Sequence, residues 1–128
     1  MNRKIYFAND DEESEYLAEI NGLRPNVVVK IYNKYYRVYI YTIERLKISY
    51  ETIIKQGCKS YPIMPGVIVI NEATKKNVID AILDLPLSYF ENLKAKTIQD
   101  LNMILSDFRE PFNKKFSEWV QVYPSRNK

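Results

Sequence analysis

Five acids crowd one short stretch: Asp10, Asp11, Glu12, Glu13 and Glu15 in NDDEESEYLAEING. Carboxylate oxygens are what a hard cation such as magnesium takes as ligands. Consecutive helical residues point in different directions, however, and the spacing matches no calcium loop. Helix-start electrostatics, a solvated face or a charged contact surface fits the cluster better. Cys58, the single cysteine, stands between Gly57 and Lys59. A neighbouring cation lowers a thiol pKa, yet the chain has no histidine to act with it. That absence removes the usual general base near neutral pH, the commonest transition-metal ligand and the Ser-His and Cys-His nucleophile arrangements. One cysteine also excludes an internal disulfide or a multi-cysteine metal site, and it fits a reducing compartment. There is no GxGxxG or GxxxxGK(S/T), and three glycines in all make a phosphate-cradling loop hard to build. The lysines of ATKKNV start a helix, where their charge opposes the dipole, and read as a solvated first turn. No catalytic residue, metal ligand or cofactor is expected. An enzyme would have to rely on carboxylate, lysine or tyrosine chemistry.

The strongest feature is the strip NVVVKIYNKYYRVYIYTI, Asn26 to Ile43, which holds five of the chain's eleven tyrosines with Lys30, Lys34 and Arg37 among them. Two alternating runs of β-branched and aromatic residues flank Asn33-Lys34, the pattern of a β-hairpin. Pairing Tyr32 with Tyr35 puts Val27, Val29, Ile31, Tyr36, Val38 and Ile40 on one face. The other face gathers Val28, Lys30, Tyr32, Tyr35, Arg37 and Tyr39. Asn33 tolerates the positive φ of a type I′ turn, whereas Lys34 is a poor second residue, so a slipped turn stays open. In this register Lys30 opposes Arg37, and like charges across strands are destabilising. Water, an acid of this chain or a negatively charged ligand should compensate. The tyrosine face is either an interaction surface or a surface covered by one of the chain's own helices, with hydrogen-bonded tyrosine tips.

The elements that position these residues follow from periodicity. Arg3 to Ala8 reads as a first strand, and Asp10 with Glu13 as a capping box before a helix that stops at Gly22. After the hairpin, Ile43, Leu46, Tyr50, Ile53 and Ile54 share a helical stripe ending at Gly57. CKSYPIMP is a loop, and GVIVI suits a central strand buried on both faces. Val78, Ile79, Ile82 and Leu83 mark a helix that Pro86 ends. Thr97 and Asp100 suggest a cap for a helix carrying Ile98, Leu101, Leu105 and Phe108. Phe112, Phe116 and Trp119 favour a short helix, WVQVYP a closing strand, and residues 125–128 a frayed tail. The expected fold is a single α/β or α+β domain over residues 1–128: one mixed sheet of four or five strands, including the tyrosine hairpin, packed with three to four helices.

Length and composition agree with one globular domain, at 128 residues with 46% hydrophobic and 27% charged. No apolar run approaches a membrane span and the N-terminus lacks a signal-peptide core, so a cytoplasmic protein is expected. The net charge is +3, but residues 1–24 carry six acids against three bases and the remainder ten against sixteen. Such asymmetry suggests binding surfaces.

The segment YPIMPGVIVINEATKKNVIDAILDL, Tyr61 to Leu85, resembles bacterial immunity proteins of polymorphic-toxin and contact-dependent-inhibition systems, in which a short apolar strand after a Pro-Gly turn leads into an acidic-Thr-Lys step and an amphipathic helix. The resemblance covers about a fifth of the chain. It implies a small non-catalytic protein that binds and neutralises a cognate toxin domain. Inhibitors of nucleases are often acidic, and here only the Asp10–Glu19 patch is. Two functions are carried forward. One is a toxin-binding inhibitor that uses Lys30, Tyr32, Tyr35, Arg37, Tyr39 and Tyr41, or Asp10, Asp11, Glu12, Glu13 and Glu15, or both. The other is a nucleic-acid-binding module in which the tyrosines stack on bases while Lys30 and Arg37 meet phosphates.

Overall fold

The computed structural model describes residues 3–59, 65–102 and 115–124. One five-stranded mixed sheet organises them, in the order β4-β3-β2-β1-β5. β1 (Arg3–Phe7), β2 (Leu23–Ile31) and β3 (Lys34–Thr42) form an antiparallel meander, β5 (Val120–Tyr123) pairs antiparallel with β1, and β4 (Val67–Ile70) pairs parallel with β3. Around the sheet stand α1 (Glu12–Asn21), α2 (Ile43–Lys55), α3 (Lys75–Asp84) and two five-residue helices, α4 (Leu87–Glu91) and α5 (Ile98–Asn102), with a 3-10 turn at Phe116–Glu118. This is the α+β architecture read from the sequence. The expectations for Leu105, Phe108, Phe112 and the tail 125–128 fall outside the described residues.

Alternation along the strands decides what is buried. Ile5, Phe7, Val27, Val29, Ile31, Tyr36, Val38 and Ile40 share one face and pack with Ile68, Val78, Ile82, Phe90 and Val122. That layer is the main core, roofed by α3 and α4. Arg3 belongs to the same face by period two and is buried, where its Nη1 donates to the carbonyl of Ile82 at 2.6 Å and satisfies an acceptor near the C-terminal end of α3. On the opposite face a second cluster joins Val28 and Ala8 to Leu101, Phe116 and Trp119.

Helix ends follow local chemistry. Asp11, one residue later than the Asp10 expected from the capping box, caps α1 by accepting the Ser14 N–H at 3.1 Å. Thr42 and Thr74 cap α2 and α3 in the same way. Thr97 and Asp100 form the anticipated reciprocal cap of α5, with N–H contacts of 3.0 and 3.1 Å. The Thr97 backbone N–H holds the Asp100 carboxyl below the usual carboxylate range. The cap's contribution is therefore present above the ordinary carboxyl pKa and fades as pH falls through the lowered one. Gly22 ends α1 at φ 66. A Cβ at Gly22 would collide with the Thr42 hydroxyl that caps α2, so a glycine is what lets these two helices meet.

Two local expectations are corrected. β4 is an edge strand rather than a central one, and Val69 is exposed on it. A continuous apolar run does not by itself distinguish a strand buried on both faces from one at an edge. The hairpin register also slips by two. Ile31 opposes Lys34, Lys30 opposes Tyr35, Val29 opposes Tyr36 and Val28 opposes Arg37, so Tyr32-Asn33 forms the turn. A two-residue slip preserves every side chain's face. It also removes the Lys30–Arg37 opposition and sets the Lys30 ammonium 5.4 Å from the Tyr35 ring centre. A bulge at Pro25-Asn26, where proline has no N–H to give the ladder, shifts the register by one at the base of the hairpin.

The slip places Tyr32 at φ 56, at the first central position of the turn, where glycine is preferred. Replacing Tyr32 by glycine is expected to raise stability by about 0.5–1 kcal/mol in a denaturant titration, the relief of backbone strain less the entropy that glycine loses on folding. A fall in stability would show that the tyrosine side chain contributes more than its backbone costs.

Candidate protein-binding surface

The structure distributes the tyrosine strip among different tasks. Tyr35 packs edge-on against Phe116, 5.3 Å between ring centres, and Tyr6 meets the same ring at 5.0 Å. The chain's own C-terminal segment thus covers this end of the face. Arg37 is turned inward: its Nε and Nη2 donate to the Pro25 carbonyl at 3.1 and 2.9 Å, Nη2 also reaches Asn26 Oδ1, and its guanidinium lies 4.6 Å from the centre of the Tyr39 ring. The bulge that frees the Pro25 carbonyl supplies that acceptor. Tyr39 and Tyr41 are half-buried on the same side, and Tyr32 stands apart in the turn. Lys30 and Tyr35, and Arg37 and Tyr39, are brought together. Tyr32 and Tyr35 are not.

The acid stretch divides too. Asp10 meets Lys75 at 3.3 Å, Asp11 is the α1 cap, and Glu15 receives a bidentate pair of hydrogen bonds from Arg24 at 2.9 and 2.7 Å. Arg24 is buried, stacks 4.7 Å from the centre of the Phe7 ring and donates its Nε to the Ala73 carbonyl at 3.0 Å. One guanidinium therefore ties α1 to the sheet and to the segment entering α3. Glu12 and Glu13, with Glu19 further along α1, remain exposed. Among the described residues no group of three potential metal ligands is placed to hold an ion, and Cys58 is exposed and free.

What the sequence reading missed lies on α1 and α2. Neither helix buries a single residue. Tyr16 is 64% exposed, Ile20 60% and Ile48 56%, and Leu17, Ile43 and Tyr50 are exposed with them. α1 and α2 adjoin at Gly22, whose carbonyl accepts the Thr42 N–H at 2.8 Å. The junction opens a groove of about 570 Å³ whose lining includes Ile20, Ile48, Glu19, Glu44, Glu72 and Arg45. Part of the signal was present in α2, where Ile43, Leu46, Tyr50, Ile53 and Ile54 share a helical stripe. The helix lies so that Leu46, Ile53 and Ile54 are only half-buried, while Ile43 and Tyr50 face outward.

Large apolar side chains are thus exposed on both helices, and two of them, Ile20 and Ile48, line one groove. Charge adds direction: α1 carries Glu12, Glu13, Glu15 and Glu19 and no base, in a chain of net charge +3. No helix among the described residues is long and apolar enough to cross a membrane. Comparison with protein-family models, curated proteins and solved structures found no match.

Proposed function

We propose that this chain is an immunity protein: a small, non-catalytic cytoplasmic inhibitor that binds a cognate bacterial toxin domain and blocks it. The observation that carries the reading is the pair of helices, α1 and α2, that bury no residue and expose Tyr16, Leu17, Ile20, Ile43, Ile48 and Tyr50. The resemblance of Tyr61–Leu85 to immunity proteins supplies the kind of partner. The acid character of α1 supplies the partner's charge, a basic surface such as a nucleic-acid-cleaving toxin domain uses to hold its substrate. Inhibition then works by occupation, since a helix pair seated on that surface excludes the substrate.

A nucleic-acid platform on the tyrosine face gains less support. Arg37 is spent on Pro25 and Asn26, and Phe116 occupies the Tyr35 ring. Base stacking needs several open rings and phosphate tracking several free cations, and of the residues read as this platform only Lys30 and Tyr32, at the hairpin tip, stay available.

Co-expression with the toxin domain encoded beside this chain is expected to restore growth and to yield a stable one-to-one complex. Growth arrest despite full expression of the folded chain would contradict the proposal. Reversing Glu12, Glu13 and Glu19 to lysine is expected to slow association at low salt by about tenfold or more, an effect that salt erases. An unchanged association rate at low salt would remove the acid helix from the interface.

A further inference from the structure

Lys4 in β1 and Lys30 in β2 stand directly opposite each other in the antiparallel ladder. Opposed residues share one face with Cβ atoms about 4.5–5.5 Å apart, so both side chains start from one spot beside the hairpin turn, the Lys30 ammonium lying 5.4 Å from the Tyr35 ring centre. Like charges so placed repel, and neither lysine makes an ion pair within the described residues. Lys30 thus faces a like charge across strands after all, from Lys4 instead of Arg37. A cavity of about 290 Å³ is lined by Lys4, Lys30, Tyr32 and Asn33. Each of the four carries a side-chain donor, and no carboxylate lines the space. Tyr32, which lines this cavity, also holds the positive φ of the turn.

We propose that the Lys4–Lys30 pair, with Tyr32 and Asn33, is a binding site for a phosphate group. Two cations in register call for a ligand with more than one negative charge, and the tyrosine and asparagine add neutral donors around it. A phosphomonoester carries a charge of about −1.5 to −2 and three strong acceptor oxygens at neutral pH. A carboxylate offers a single charge in one plane and matches the four donors less well. Bound phosphate would neutralise the opposed ammonium groups, so binding and stability are linked. The hairpin tip and the helix surface share no residue, and this site stands whether or not the chain inhibits a toxin.

The test is a titration of the full chain with inorganic phosphate at constant ionic strength, followed by amide chemical shifts, with acetate and adenosine monophosphate in parallel arms. Saturable shifts confined to Lys4 and to residues 30–34 are expected with phosphate, and weaker binding with acetate. Lys4→Gln and Lys30→Gln should each weaken phosphate binding by roughly tenfold, the loss of one charge-assisted contact. Each should also raise the melting temperature in the absence of phosphate, because the repulsion is gone, and that readout shows the variants are folded. Tighter binding of the mononucleotide would identify a nucleotide as the source of the phosphate, with its base against exposed Tyr32. Equal binding of the two would assign recognition to the phosphate alone. Shifts that grow without saturation, affinity for acetate equal to that for phosphate, or unchanged binding by the two glutamine variants would overturn the site.

Discussion

Replacing Arg24 by alanine is expected to destabilise the protein by about 3 kcal/mol or more, the range for breaking a buried ion pair from one side. Arg24 is only 6% exposed, and the substitution removes its bidentate pair with Glu15, its hydrogen bond to the Ala73 carbonyl and its contact with the Phe7 ring. Glu15 would then face the sheet without its cation. For a chain of this size that loss corresponds to a melting temperature lower by roughly 10 °C. Because the same guanidinium tethers α1, amide exchange in Glu12–Asn21 should quicken before the rest of the molecule loosens. Replacing both partners by apolar residues, Arg24→Met with Glu15→Leu, should recover a large part of the loss, since no buried charge is left alone. A single Arg24→Ala variant as stable as the parent would mean that α1 is held by something other than this pair.

The second large effect concerns binding. Ile20→Glu combined with Ile48→Glu should weaken the complex with the toxin domain by about 4 kcal/mol, near a thousandfold, if each residue acts as a central interface anchor. Both side chains are exposed beside the groove, so the melting temperature should hardly change. Val38→Ala, which opens a cavity in the main core, should do the reverse: about 1–3 kcal/mol of stability lost with binding retained. A binding titration and a thermal melt on the parent chain and both variants separate the two kinds of residue.

How much of this was legible in the sequence varies with the physics involved. Period-two alternation gave the two faces of the hairpin, because a face assignment survives a slip of two residues. The register did not follow, since it depends on which cations end up opposed and on a bulge at Pro25. Caps at Thr97 and Gly22 are local chemistry and were readable. Arg3 and Arg24 were hidden because a charged residue reads as exposed, although Arg3 sits in the alternation with Ile5 and Phe7 that puts it inside. The exposed surface of α1 and α2 was the hardest to foresee. An amphipathic stripe says that a helix has an apolar side, but not whether this chain or a partner covers it. The edge position of β4 is a matter of topology, and a four-residue apolar run carries no information on that point.

The central claim is most directly tested by titrating the purified chain into the purified toxin domain while following the toxin's own activity. Activity is expected to fall linearly to an end at one equivalent, and not to fall with the Ile20→Glu, Ile48→Glu variant at the same concentration. Full toxin activity in excess wild-type chain would contradict inhibition, and equal inhibition by the variant would contradict the helix surface.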